Sequence, residues 1–378
     1  MNNNLAPTYQ RLFGSYWVLW YKTSNSYSVV DDDFKHLLYD YLDCASFDAF
    51  KSKIARVDSS LDADALAKNL ESYLEHCNAK QVSDEDLLSA GFTGSKRKIS
   101  KQYVFQDNVF QIHFDSDLVE KTIHPSIAHL ETKATVSPSV IFDVYIEDDS
   151  LCLFKNEALV RMVPKRNYHH IQGKFAMELL SFIHDKDESD WLGTFHGSTI
   201  SDGENSILCI GASGKGKSTL CALLSAKGFE LVADDVSPML AADAHIYHNP
   251  SAISLKKGAF NLLRPLVRGF DALPDTVFNT TKGVIKYLPC KTPNKDYYPC
   301  RAIIMVNYTK DSDTTLELRS IKEALETLIP ESWLSPDPLH AKSFLDWLSK
   351  TPVYQLTYSD TESVTEEITK CFNRFKNL

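Results

Sequence analysis

The most constraining stretch of this chain begins at Ile207-Leu208-Cys209-Ile210, a short apolar run suited to a strand buried on both faces of a sheet. It leads directly into Gly211-Ala212-Ser213-Gly214-Lys215-Gly216-Lys217-Ser218, which fits G-x-x-x-x-G-K-[ST] at every position, with Thr219 next. Leu220, Leu223 and Leu224 follow at helical spacing, and Gly228 is well placed to end that helix. Glycines let the backbone curl so that its N–H groups converge on phosphate oxygens, and a helix N-terminus adds its dipole. Lys217 is then placed to neutralise β- and γ-phosphates, and the Ser218 hydroxyl to ligate magnesium. The expectation is a nucleoside triphosphate site cradled by residues 211–219.

A second feature narrows the chemistry. Phe229-Glu230-Leu231-Val232-Ala233 reads as a strand and ends at Asp234-Asp235, one short helix after the glycine-rich loop. Two carboxylates therefore arrive together at the γ-phosphate end. One can hold magnesium, directly or through water, while the other takes a proton from an attacking hydroxyl. His196, in Thr194-Phe195-His196-Gly197-Ser198, precedes the loop and is a candidate partner.

Charge bounds the partners. A net charge of −10 argues against a broad nucleic-acid or anionic-membrane surface, because both need a positive field. No apolar run approaches the roughly 20 residues that a membrane helix needs. The N-terminus, MNNNLAPTYQ, lacks the basic start and apolar stretch of a secretory signal. None of the eight cysteines forms a C-x-x-C pair or has histidines at zinc-ligand spacing, so a reduced, cytoplasmic chain is expected.

The chain divides into three by pattern. In residues 1–80, Tyr16–Tyr21 and Tyr27–Val30 read as a hairpin around Ser24-Asn25-Ser26. Asp31-Asp32-Asp33 then offers helix N-caps, and Ala63, Leu66, Leu70, Tyr73 and Leu74 mark a second amphipathic helix. Residues 81–101 are polar and read as a linker, with Lys96-Arg97-Lys98 and Lys101 as a solvated basic cluster. From 102 onward, alternating runs ending at Ala158–Val163 suggest a β-meander, followed by a helix carrying Ile171, Phe175, Leu179, Leu180 and Ile183. Trp347, with Phe344, Leu345 and Leu348, marks a buried helix face nearer the C-terminus.

Taken together, His196-Gly197, the loop at 211–218 and Gly228-Phe229 leading to Asp234-Asp235 resemble the catalytic domain of the HPr kinase family and its relatives. Pro250-Ser251-Ala252-Ile253-Ser254-Leu255-Lys256, Arg301–Val306 and Thr351–Leu356 extend the resemblance over roughly residues 102–378. It implies an α/β fold of the phosphoenolpyruvate-carboxykinase-like P-loop type, carrying a small N-terminal α+β module. The implied chemistry is transfer of the γ-phosphoryl group of ATP, with Mg2+, to a serine hydroxyl. Asp235 matches the family's proton acceptor, and Asp234 and His196 match its partners near the phosphate. Thr219 stands where the family usually has a glutamate that helps to hold the metal. No counterpart of the segment linked to the reverse reaction is evident, so a kinase is expected and not a phosphorylase.

The N-terminal 80 residues are similar to PqqD-like peptide-recognition domains, which bind a peptide along a strand edge. The expected acceptor is therefore a hydroxyl on a peptide or protein. A small hydroxy metabolite, or a regulatory module that binds nucleotide without transferring phosphate, are the alternatives. Lys256 is a further candidate to approach phosphate. A homo-oligomer is allowed, and ATP and GTP are not distinguished.

Overall fold

The computed structural model describes residues 3–57, 61–80, 89–134, 136–277 and 283–376. It is a mixed α/β structure with several sheets. The first 80 residues build β1 (Tyr9–Phe13), β2 (Tyr16–Tyr21) and β3 (Ser26–Asp31), then α1 (Asp32–Asp43), α2 (Phe47–Val57) and α3 (Ala63–Asn78). The expected hairpin is there, but β1 adds a third antiparallel strand through a turn at Gly14-Ser15. α2 is also additional, carried by Phe50 and Ile54. Asp31 caps α1 by accepting from the Phe34 N–H at 2.7 Å, as the run of aspartates suggests.

This unit does not stand apart. The Asn25 side-chain amide donates to the Leu334 carbonyl at 2.8 Å, and Tyr27 meets Phe344 edge-on, centroids 5.3 Å apart. Val18, fully buried, belongs to the same apolar cluster as Phe344 and Trp347.

A six-stranded sheet follows. Its members are β4 (Ile99–Phe105), β5 (Asn108–Phe114), β6 (Glu131–Thr132), β7 (Val140–Glu147), β8 (Ser150–Lys155) and β9 (Ala158–Pro164), with α4 (Asp117–Ile127) and α5 (Tyr168–Ile183) packed against it. A plain meander is not what forms: β5 and β7 are parallel, and α4 makes the crossover. The basic cluster at 96–101 is only partly solvated: Lys98 is exposed, but its neighbours are paired. Arg97 makes a bidentate pair with Asp143 at 2.6 and 2.9 Å, Lys96 reaches Glu147 and Lys101 reaches Glu131. A buried carboxylate on β7 needs such a partner, which draws the segment onto the sheet. Residues 81–88 of the expected linker lie outside the described residues.

The remaining chain forms a ten-stranded sheet and a small three-stranded one. Its elements are β10 (Trp191–His196), β11 (Ser198–Ser201), β12 (Ser206–Ile210), α6 (Lys217–Ala226), β13 (Glu230–Ala233), β14 (Val236–Leu240), β15 (His245–Tyr247), β16 (Ile253–Lys256), α7 (Phe260–Leu263), β17 (Thr276–Val277) and β18 (Val284–Leu288). After these come β19 (Tyr297–Tyr308), β20 (Thr315–Leu318), α8 (Ile321–Leu328), β21 (Trp333–Leu334), α9 (Pro338–Leu348), β22 (Val353–Tyr358) and α10 (Thr361–Asn373). At the centre β12, β19 and β22 run parallel, with α6 and α10 packed over one face and α8 and α9 over the other. Covering both faces explains why Ile207–Ile210 is continuously apolar. The eight cysteines are free thiols. No helix among the described residues is long and apolar enough to cross a membrane.

Asp143 is fully buried, so Arg97→Ala strands an unpaired charge. The expected cost is about 3 kcal/mol, read as a lower urea midpoint, and an Arg97→Met/Asp143→Leu double variant should recover most of it.

Candidate active site

The site lies where β12 ends. The chain leaves the buried strand at Gly211, loops through exposed residues 212–215 and enters α6 at Lys217. Gly216 takes φ +98° as the N-cap, and a Cβ there would sit 3.3 Å from Tyr308 and Tyr358, so the turn requires glycine. The neighbouring strand β19 braces the loop: the Tyr308 N–H donates to the Lys215 carbonyl at 3.2 Å, and Lys215 Nζ donates to Asn307 Oδ1 at 3.2 Å. Lys217 is buried inside the curl, where its ammonium donates to the Gly211 carbonyl. Thr219 is half-buried on the first turn of α6, next to Ser218. Such a turn presents N–H groups at a helix N-terminus, which favours an anion.

Two strand corners meet beside this loop. β10 passes into β11 through Gly197, and β13 passes into β14 through Asp234-Asp235. Because β10 pairs with β14 and β11 with β13, the two corners are stacked: His196 is opposite Val236 and Thr199 opposite Ala233. A Cβ on Gly197 would come 2.7 Å from the Cys209 carbonyl, so the first corner can press against β12 only with glycine there. Thr199 and Ser237 hydroxyls share a hydrogen bond of 2.8 Å, and Ser237 donates to the Gly197 carbonyl at 3.0 Å, tying the corners together.

The paired aspartates part company. Asp234 turns inward and is 2 % exposed; its Oδ1 accepts from the Ser198 hydroxyl at 2.5 Å and its Oδ2 from the Ser254 N–H at 3.1 Å. Asp235 turns outward, its backbone at φ +66°, a left-handed conformation that aspartate tolerates better than most residues. Its side chain is 67 % exposed, with Oδ1 3.4 Å from His196 Nδ1. Lys256, at the end of β16, donates to Ser213 Oγ at 3.2 Å and so touches the loop. The structure thus brings His196, Lys217, Ser218, Asp234, Asp235 and Lys256 around one loop.

Three contributors carried no sequence signal strong enough to single them out. Glu331, from the connection between α8 and β21, places Oε2 3.4 Å from His196 Nε2. Ser198 was visible only as the residue after a glycine. Tyr287, on β18, feels the Asp235 charge; burial first, and that charge second, push its hydroxyl up to about 12.

Electrostatics separates the charged groups. Burial alone would disfavour the Lys217 ammonium and sets its direction, downward; Glu331, Asp235 and Asp234 oppose it in that order. Burial likewise pushes Asp234 up to about 6, helped by the Asp235 charge, while hydrogen bonds from Ser198, Ser254 and Ser218 pull the other way. These donors bear on the metal. No group of three His, Cys, Asp or Glu side chains gathers for a cation among the described residues. Magnesium usually takes one or two protein oxygens and completes its shell with phosphate and water. Ser218, hydrogen-bonded to a buried carboxylate, fits that requirement.

The raised Asp234 value has a measurable sign. The folded chain holds this proton more tightly than the unfolded chain, so the associated stabilisation is present below about pH 4 and is lost as pH rises through about 6. Asp234→Asn removes that loss. Without divalent cations, its stability relative to the natural chain should rise by about 3 kcal/mol between pH 4 and pH 7, measured by denaturant unfolding at each pH.

No family model and no curated protein matches this chain. Among solved structures it is similar to the Hpr(Ser) kinase/phosphatase from Coxiella burnetii, at 13% identity and a TM-score of 0.23, over 48% of this chain and 97% of that one. A similarity at that score fixes neither fold nor role.

Proposed function

We propose that the chain binds a nucleoside triphosphate, ATP in the first instance, at residues 211–219 and transfers its γ-phosphoryl group to a hydroxyl. The observation that carries this reading is the convergence of the loop, its buried Lys217 and the Asp234-Asp235 corner on one place. Lys217 exchanges its backbone carbonyl partner for phosphate oxygens, which recovers the charge pairing that burial makes costly. Asp235 is exposed and unencumbered except by His196, so it can accept the proton of an incoming hydroxyl. The hydroxyl oxygen bonds to the γ-phosphorus, the bond to the β–γ bridging oxygen breaks, and the nucleoside diphosphate leaves. His196 orients Asp235 beside the moving group, and Lys256 reaches the loop from the side. Magnesium, held by Ser218 and supported by Asp234, would neutralise charge developing between the β- and γ-phosphates. Catalysis of this kind is mainly positioning and charge neutralisation.

The proposed acceptor is a serine hydroxyl on a peptide. What supports a peptide is β3, which pairs with β2 on one side and with no other strand among the described residues. Such an edge can take an extended segment as a further strand.

Lys217→Ala should weaken binding of a fluorescent ATP analogue at least tenfold, while Asp235→Asn binds it normally and loses about a hundredfold or more in turnover. Turnover is followed with γ-labelled ATP on serine-containing peptides. Equal labelling by Asp235→Asn and the natural chain would remove the proposed chemistry; equal kcat/KM on free serine and on peptide would remove the peptide.

A further inference from the structure

His196 lies between two acids. Its Nδ1 lies 3.4 Å from Asp235 Oδ1, and its Nε2 lies 3.4 Å from Glu331 Oε2. A half-turn of the ring about Cβ–Cγ replaces each nitrogen by a carbon, so with an acid beside each nitrogen a turned ring loses two polar contacts and not one. The backbone brings Glu331 there by construction. β21 pairs with β10, the strand that ends in His196, through Gly193↔Leu334 and Thr194↔Trp333. The approach is close: a Cβ on Gly193 would sit 2.7 Å from the Trp333 carbonyl. The His196 N–H also donates to Ser332 Oγ at 3.3 Å, so the residue after Glu331 is fixed to the residue that Glu331 faces.

We propose that Glu331 is the positioning residue for His196: it anchors Nε2 so that Nδ1 addresses Asp235. The role of Asp235 as proton acceptor belongs to the function proposed above, on which the activity part of this inference rests. Glu331 also bears on the Lys217 ammonium: burial acts most on it, and Glu331 ranks first among the three acids that oppose burial. The connection between α8 and β21 thus reaches the histidine from a part of the chain remote in sequence from the loop.

The test is a double-mutant cycle with an activity-independent arm. Glu331→Ala should lower kcat about tenfold to a hundredfold, with the affinity for a fluorescent ATP analogue within about threefold of the natural chain. In a His196→Ala background the same change should cost no more than about twofold, because its target is gone. Glu331→Gln, which keeps an oxygen acceptor, should fall between the natural chain and Glu331→Ala. Additive losses, or an unchanged kcat with weakened nucleotide binding, would overturn the inference. The second arm needs no turnover: carbethoxylation of His196 by diethylpyrocarbonate, read by mass spectrometry in the nucleotide-free protein. Its rate should rise severalfold in Glu331→Ala at an unchanged melting temperature. An unchanged rate overturns the anchoring. A raised rate in a protein that transfers no phosphate sinks the proposed function and leaves the anchoring standing.

Discussion

The site depends on one carboxylate that has been taken out of water. Asp234 sits at the corner between β13 and β14, and its partners come from three other places in the chain: Ser198 on β11, Ser254 on β16 and Ser218 on α6. A group that costs this much to bury is tolerated only where its hydrogen bonds are made, so the four segments are held in register by it. The small sheet carrying β16 is drawn to the loop in this way, and with it Lys256. The stacked strand corners then leave Asp235 only one way to point, outward, at the cost of a left-handed backbone.

Around that anchor, charge is distributed asymmetrically. A buried cation, Lys217, faces three acids, one buried and two exposed. In the free protein its hydrogen bond goes to its own loop, to the Gly211 carbonyl. A buried ammonium whose partner is a neutral carbonyl would gain from a charged partner in surroundings of low dielectric. The same low dielectric makes the acids sensitive to one another, which is why Asp235 helps to raise Asp234.

Much of this was legible in the residues themselves. The buried strand, the glycine loop and α6 follow from local pattern, since each is specified within about six consecutive residues. Lys217, Ser218 and the two aspartates were read from the same local pattern, and the structure brings them around that loop. What local pattern could not supply was the opposite fate of Asp234 and Asp235, because burial depends on the stacking of corners far apart in sequence. Glu331 was invisible on the same ground: Ile329-Pro330-Glu331-Ser332 has no periodicity, and its place comes from β21 pairing with β10. Arg97 is the reverse error. Polar composition suggested solvent, but a fully buried Asp143 on β7 was waiting for it. β1 and α2 were passed over because the turn and the helix face that define them are short.

The docking of the first 80 residues has a practical meaning. Asn25 holds the Leu334 carbonyl, and Leu334 is the residue of β21 that faces Gly193 on the strand leading to His196. Tyr27 and Val18 cover Phe344 and its neighbours on α9. Cutting this segment away would therefore uncover an apolar helix face and release β21, which follows directly on Glu331 and Ser332 beside the candidate site. The module is better regarded as a buttress of the core sheet than as an appendage, and its contribution is more cleanly dissected by single substitutions on its surface than by deletion.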